Sequence, residues 1–176
     1  MVLFETERMA VHRFTPADAG SFFRINSNEQ VVQFIRPVKS RSESDAFLED
    51  NLRLYRDGSC LGRFAVFHKS GQVFLGVFSL LSLGGEPDCH IGFALVPEAW
   101  GKGFATELLQ AGVEYFFRQT NKPFVFAITD PANKGSQKVL LKSGFLLKGQ
   151  VVENGKLLNL FYLTRPGYTE PDNAGD

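Results

Sequence analysis

The chain is short of the residues that mark several protein classes. Its 176 residues include two cysteines, Cys60 and Cys89. That is too few for a disulfide framework, and their spacing is not that of metal ligands. A reducing, cytoplasmic setting is the expectation. No run approaches the roughly 20 apolar residues of a membrane span. Glu5, Glu7 and Arg8 fall where a signal peptide would carry its apolar segment. Neither sign of charge is in excess: Lys+Arg and Asp+Glu are both 19, the formal net charge is zero and the pI is about 6.8. That balance argues against nucleic acid and membrane surfaces as partners. With one tryptophan and four tyrosines, the aromatic content rests on 18 phenylalanines. Most of them should be core, and a few should line a groove. No repeat or linker breaks the chain, and its length suits one domain. That domain is placed over residues 1–165, with a frayed tail over 166–176.

What is present is concentrated between Cys89 and Phe117. His90 to Val96 reads as a buried strand, closed by Pro97. The period then changes. Phe104, Leu108, Gly112 and Phe116 recur every fourth residue, with Ala105, Leu109 and Val113 beside them, which is one apolar stripe of a helix. Between the two stand Trp100, Gly101, Lys102, Gly103, Phe104, Ala105 and Thr106. Two glycines around a lysine at a helix start leave backbone N–H groups uncovered at the positive end of the dipole, a seat for phosphate oxygens. Neither standard nucleotide loop fits. Thr106 stands where a dinucleotide fingerprint needs its third small residue, and Pro97 and Gly103 occupy the Walker positions. A glycine-containing turn without a ligand is the competing reading.

The remaining elements follow from start and stop signals. Arg8–Phe14 reads as a first strand. Thr15-Pro16-Ala17-Asp18 opens a helix that buries Phe22, Phe23 and Ile25. A short helix spans about Glu29–Phe34. A longer one, introduced by Ser42-Glu43-Ser44-Asp45, stops near Gly58. Leu61–His68 and Gln72–Leu83 form a hairpin. Phe124–Thr129 is a short strand, and Asn133 caps a helix over Lys134–Lys142 that Gly144 terminates. Phe145–Val152 and Leu157–Thr164 pair around Asn154-Gly155.

Two stretches, IGFALVPEAWGKGFATE and NKGSQKVLLKSGF (Asn133–Phe145), resemble the Gcn5-related N-acetyltransferase (GNAT) superfamily. The closest likeness is to the branch that acetylates the N-terminal alanine or serine of ribosomal proteins. The opening ETERMAVHRFTPADA extends the likeness over about residues 5 to 165. The resemblance implies an α+β fold with a central, mixed but mostly antiparallel, splayed seven-stranded sheet and helices on both faces. It implies acetyl-CoA as co-substrate, without a metal. The pantetheine arm would pair with Phe93, Ala94, Leu95 and Val96. The diphosphate would rest on the amides of Gly101 to Ala105, with Trp100, Lys102 and Thr106 around it. Asn133 would cap its helix and brace the splayed strands. Ser136 would protonate the leaving thiolate, or else serve only as a helix-start residue.

Two positions depart from the family pattern. Glu98 begins the pyrophosphate loop where Arg or Gln is common. His90 stands where many members of the branch carry an acid, which makes His90 the candidate base, with Glu86 and Asp88 behind it. A satisfied structural histidine is the alternative. Arg36, Lys39 and Arg41 fall where the fold flanks the acceptor, or form a solvated basic loop. An α-amine has a pKa of about 7.7–8.0 and a lysine about 10.4, so a weak base suits an N-terminal amine better by about 3.4 kcal/mol. The leading acceptor is therefore a protein N-terminus. A small amine such as a polyamine, amino sugar or antibiotic is the second reading, and a silent acyl-CoA-binding module the third. Monomer and homodimer both remain open.

Overall fold

The computed structural model describes residues 1–56, 60–84 and 88–169. Eight strands form one sheet in the order β1-β2-β3-β4-β5-β6-β8-β7. They are β1 (Val2–Glu5), β2 (Met9–Arg13), β3 (Gly62–His68), β4 (Val73–Ser82), β5 (Cys89–Leu95), β6 (Phe124–Thr129), β7 (Leu146–Glu153) and β8 (Lys156–Thr164). Every neighbouring pair is antiparallel except β5–β6. The expected seven strands become eight through β1. Its four residues bury only Phe4, so no periodicity announces it, and it is held at the sheet edge by pairing with β2.

Among the described residues five α-helices accompany the sheet: α1 (Ala19–Asn26), α2 (Glu29–Val32), α3 (Arg41–Arg56), α4 (Phe104–Gln119) and α5 (Lys134–Lys142). The local signals explain their ends. The Thr15 N–H and hydroxyl both donate to the Asp18 carboxylate, at 2.8 and 2.7 Å, ahead of α1. α3 starts earlier than Ser42 suggests. The Ser40 N–H donates to Glu43 Oε2 at 2.7 Å and the Glu43 N–H returns to Ser40 Oγ at 3.3 Å, a reciprocal cap. The expected stop near Gly58 lies outside the described residues. Asn154 and Gly155 both take positive φ, 48° and 75°, the geometry of a tight hairpin between β7 and β8.

Adjacent residues of a strand face opposite ways, so β4 divides the core in two. On one face α4 lies against Phe78 and Ile91, and it approaches closely because residue 112 is glycine. A Cβ there would stand 2.4 Å from the Phe78 ring. On the other face α1 and α3 cover β3 and β4 with Phe14, Phe22 and Phe47 in edge and tilted contact. Past β8, Arg165 donates to the carbonyls of Lys122, Phe117 and Thr120, and Tyr168 packs edge-on against Phe124 at 5.4 Å. So the expected frayed tail is in contact as far as Tyr168, and residues 170–176 lie outside the described residues. No helix among the described residues is long and apolar enough to cross a membrane.

Candidate active site

β5 and β6 share a single register pair, His90 with Phe126, and then part. Beyond that point β5 stays bonded only to β4, and its last bond runs from the Val96 N–H to the Leu75 carbonyl at 2.9 Å. Amide edges alternate along an antiparallel ladder. Ala94 and Val96 therefore turn theirs to β4, while Phe93 and Leu95 turn theirs into the opening. One of these groups is already used, because Trp100 Nε1–H donates to the Leu95 carbonyl at 2.8 Å. Of the four residues expected to meet a pantetheine arm, Phe93 and the Leu95 amide remain to offer.

A cleft of about 570 Å³ occupies the opening. His90, Gly92, Phe93 and Ala94 form its sheet side, and Thr129, Asp130, Asn133 and Ser136 approach from β6 and α5. Arg36, Phe47 and Arg63 close it from the side of α1–α3. His90 and Ser136, far apart in sequence, thus line one cavity. Asn133 is committed to its cap, accepting from the Ser136 N–H at 3.1 Å. Among the described residues it makes no hydrogen bond to β5; its bonds run to Asp130, Ser136 and Gln137. The Ser136 hydroxyl is in no hydrogen bond among the described residues. Asp88 is exposed and outside the cleft, and Glu86 lies outside the described residues.

Residues 100–106 do not line this cavity; they sit past the C-terminal end of β5, at the head of α4. Gly101 and Gly103 take φ of 71° and 79°, a left-handed conformation that side chains resist. A Cβ at Gly101 would meet nothing within 4 Å. Among the described residues, the amides of 101–106 donate to no protein acceptor, as expected ahead of a helix's first turn. Lys102, Phe104, Ala105 and Thr106 therefore have backbone N–H groups without a protein acceptor among the described residues. Glu98 points away to Arg24 of α1, at 2.8 Å.

Arg8 holds the loop in shape and was not anticipated from sequence. Its Nη1 donates to the Lys102 carbonyl at 2.9 Å, its Nε to Glu107 Oε2 at 2.7 Å, and its guanidinium lies 4.2 Å from the Phe104 ring centroid. An arginine at a strand entry carries no signal of this; Glu107 in the first turn of α4 is the only hint.

Arg63 was also missed. It is the one arginine in the apolar strand GRFAVFH. Asn51 fixes its backbone, Oδ1 accepting the Arg63 N–H at 2.7 Å and Nδ2 donating to its carbonyl at 2.9 Å. The guanidinium stands 4.4 Å from the Phe47 ring centroid, shared with Arg36 at 5.2 Å and Lys39 at 4.9 Å. Arg36 donates Nε and Nη2 to Asn26 Oδ1, at 3.2 and 2.7 Å. Burial, with the charge of Arg36 behind it, lowers Arg63 to about 10. Burial first and the charge of Arg63 second push His90 down to about 4, well below the ~6.5 of an ordinary histidine. His90 is a neutral imidazole at physiological pH.

A split between parallel strands, a glycine-bent helix head with bare amides, and a hydroxyl and imidazole in one cleft together match the expected fold. The GNAT acetyltransferase domain profile matches residues 8–146. The chain belongs to that family. It is 24% identical over 173 residues to an uncharacterized N-acetyltransferase, YoaA, of Bacillus subtilis strain 168, covering 93% of this chain and 97% of that one. A GNAT-family acetyltransferase of Bacillus anthracis shares the fold with a TM-score of 0.79 at 21% identity, over 93% of this chain and 98% of that one. The ribosomal L7/L12 α-N-protein acetyltransferase RimL, solved with coenzyme A, superposes with a TM-score of 0.78 at 18% identity, over 93% and 98%. The chain is thus an acetyltransferase of the GNAT family. Among the described residues no group of three or more His, Cys, Asp or Glu is placed to hold a metal.

Proposed function

We propose that the protein transfers an acetyl group from acetyl-CoA to a primary amine, and that a protein N-terminal α-amine is its leading acceptor. The observation that carries the reading is the parting of β5 from β6 at His90, which opens a cleft with Ser136 inside, while the bare amides of 101–106 lie past the C-terminal end of β5. The amides of 101–106 would hold the diphosphate, and Phe93 with the Leu95 amide would pair with the pantetheine arm. Acetyl-CoA supplies the activated acyl group as a thioester. The residues then position the amine against it, and proximity accounts for much of the acceleration. Ser136 is placed to donate its hydroxyl proton to the departing thiolate. His90, always unprotonated near neutrality, takes the proton of the amine directly or through water.

A base this weak cannot strip an ordinary ammonium ion, so the amine must arrive neutral. At pH 7.5 about a third of an α-amine of pKa near 7.8 is neutral, against about 0.1% of a lysine side chain near 10.4. That ratio favours N-terminal amines. Protein N-termini and small amines on one panel, with thiol release as the readout, test the proposal. Turnover of α-amine peptides is expected. Turnover of small amines alone would move the acceptor to a metabolite, and acetyl-CoA binding without transfer to any amine would leave a silent acyl-CoA-binding module.

A further inference from the structure

We infer that the Arg36–Arg63 corner of the cleft is an anion subsite, and that the acceptor carries a carboxylate beside its amine. The inference deepens the transferase reading and rests on it for the word acceptor; the anion subsite itself stands on separate observations.

Both arginines line the cavity that contains His90 and Ser136. Neither is within ion-pair distance of any carboxylate among the described residues, although seven such pairs occur elsewhere in the molecule. Arg36 has a neutral partner, Asn26, and Arg63 has the face of Phe47. Neither cancels a charge. A third cation, Lys39, shares the Phe47 ring, and Glu43, whose carboxylate feels its charge, is exposed and engaged by Ser40. Two half-buried cations around one ring repel each other and lose part of their hydration, a cost that proteins ordinarily relieve with a carboxylate. Here the relief is left to be supplied from the cleft.

The surroundings are built to keep the charges where they are. Asn51 clamps the Arg63 backbone on both its N–H and its carbonyl. Arg36 is held by a forked pair of bonds to one amide oxygen, itself fixed because Asn26 Nδ2 donates to the Phe22 carbonyl at 2.8 Å. The floor beside Arg63 is cut away. Arg63 pairs across with Ser79, and Ser79 with Gly92, so one row of the sheet runs arginine, serine, glycine toward the parting of β5 and β6. A Cβ at Gly92 would come within 2.9 Å of Ser79 Oγ. The glycine leaves an open path along that row. A planar guanidinium offers a carboxylate two parallel N–H donors, which a lysine cannot. The lowered pKa values of Arg63 and His90 are those of a cationic corner awaiting its counter-charge.

Two measurements on the whole protein test this. The first compares acceptors that differ in the charge of one group, with kcat/KM taken per neutral amine so that differences in amine pKa cancel. One set is peptides with Asp or Glu at the second or third position against Asn or Gln, and the other is small amino acids against their amides. At least one acidic acceptor should exceed its amide in kcat/KM by tenfold or more. Arg63→Met should reduce that preference to within twofold, and Arg63→Lys should keep part of it. The arm in which the preference occurs tells a peptide from a free amino acid. The second measurement needs no catalysis: propionate should raise the His90 pKa seen by NMR and the Tm of the wild type, and propionamide should do neither. In Arg63→Met, which keeps the packing on Phe47, propionate should have no effect, and the variant should be as stable as the parent or more so. Equal rates for every charged and neutral pair, a preference that survives Arg63→Met, or no response to propionate would each overturn the subsite. If no amine is acetylated at all while propionate still acts through Arg63, the transferase reading fails and the subsite stands.

Discussion

His90 is the group whose behaviour departs furthest from its reference chemistry, and pH is the perturbation that reads it. Its pKa falls from about 6.5 to about 4, and burial is the larger cause. A shift of about 2.5 units is worth about 3 kcal/mol. The sign follows from proton counting. Between pH 6.5 and 4 the unfolded chain binds a proton at this position and the folded chain does not, so stability falls as pH falls through that window. Above pH 6.5 the two states bind equally and the stabilisation is complete; below pH 4 the loss is constant. Urea unfolding from pH 4 to 8 should therefore show a slope in that interval, and His90→Gln should flatten it by about 3 kcal/mol. Catalysis gives an independent reading. With His90 already neutral, kcat/KM above pH 5 should carry one rising limb that tracks the pKa of the acceptor amine. It should not carry a fixed limb near ~6.5, which histidine's reference value alone would suggest. His90→Gln should lower the rate at every pH, about 10- to 100-fold, without moving that limb. An acceptor-independent inflection near 6.5 that disappears in His90→Gln would refute the reasoning, as would an NMR titration of His90 near 6.5.

Gly103→Glu should weaken acetyl-CoA binding at least tenfold by calorimetry with the circular dichroism unchanged, because it puts a carboxylate and a strained φ of 79° into the bare-amide turn; unaltered affinity would take the loop out of the binding site. Ser136→Ala should lower kcat by about 10- to 100-fold and leave acetyl-CoA affinity nearly constant, since the nucleotide end is held elsewhere; normal turnover would reduce Ser136 to a helix-start residue. Gly112→Ala gains about 1 kcal/mol of helix propensity but drives a Cβ to 2.4 Å from the fully buried Phe78 ring. Overpacking of about 1–3 kcal/mol should win, so its Tm should fall, and a rise would show that α4 can lift off the sheet freely.

How much of this was legible depended on whether a residue's neighbours in sequence were also its neighbours in space. β6 and α5 match their expected bounds, because Asn121-Lys122-Pro123, Asn133 and Gly144 punctuate them locally. The loop at 100–106 was legible for the same reason: two glycines at a change of period can be read within ten residues. β1 was not, since four residues with one buried side chain carry no period. The separation of the pantetheine edge into alternate residues was also hidden. It follows from which face of β5 bonds to β4, a register fixed by partners some 20 residues away. Arg8 and Arg63 are the extreme case. Each acts through residues on other elements, Glu107 and Lys102 for Arg8, Phe47 and Asn51 for Arg63, whereas Arg36 was among the residues expected near the acceptor and does line the cleft. A single arginine in an apolar strand carries no local sign that it lines a cleft.

The place of Arg63 in the cleft bears on how a site with so weak a base could acetylate amines at all. A unit charge roughly 7 Å from an amine, at an effective dielectric of about 20, costs its ammonium form about 2 kcal/mol. This is the influence that Arg63 adds to burial in lowering His90. It acts on any cation brought to the same place, and Arg36 adds to it. In the proposed mechanism the cleft would discharge the acceptor by its field, and the imidazole would need only to receive a proton as the new bond forms. An acidic group on the acceptor does not undo this. One carboxylate offsets one of two arginines, and Lys39 remains beside them. The two tasks, anchoring an anion and neutralising an ammonium ion, call for the same sign of charge in the same corner. A lysine acceptor would still begin about 2.5 pKa units behind an α-amine. Selectivity for the N-terminal kind of amine then needs no contact with the chain that follows it.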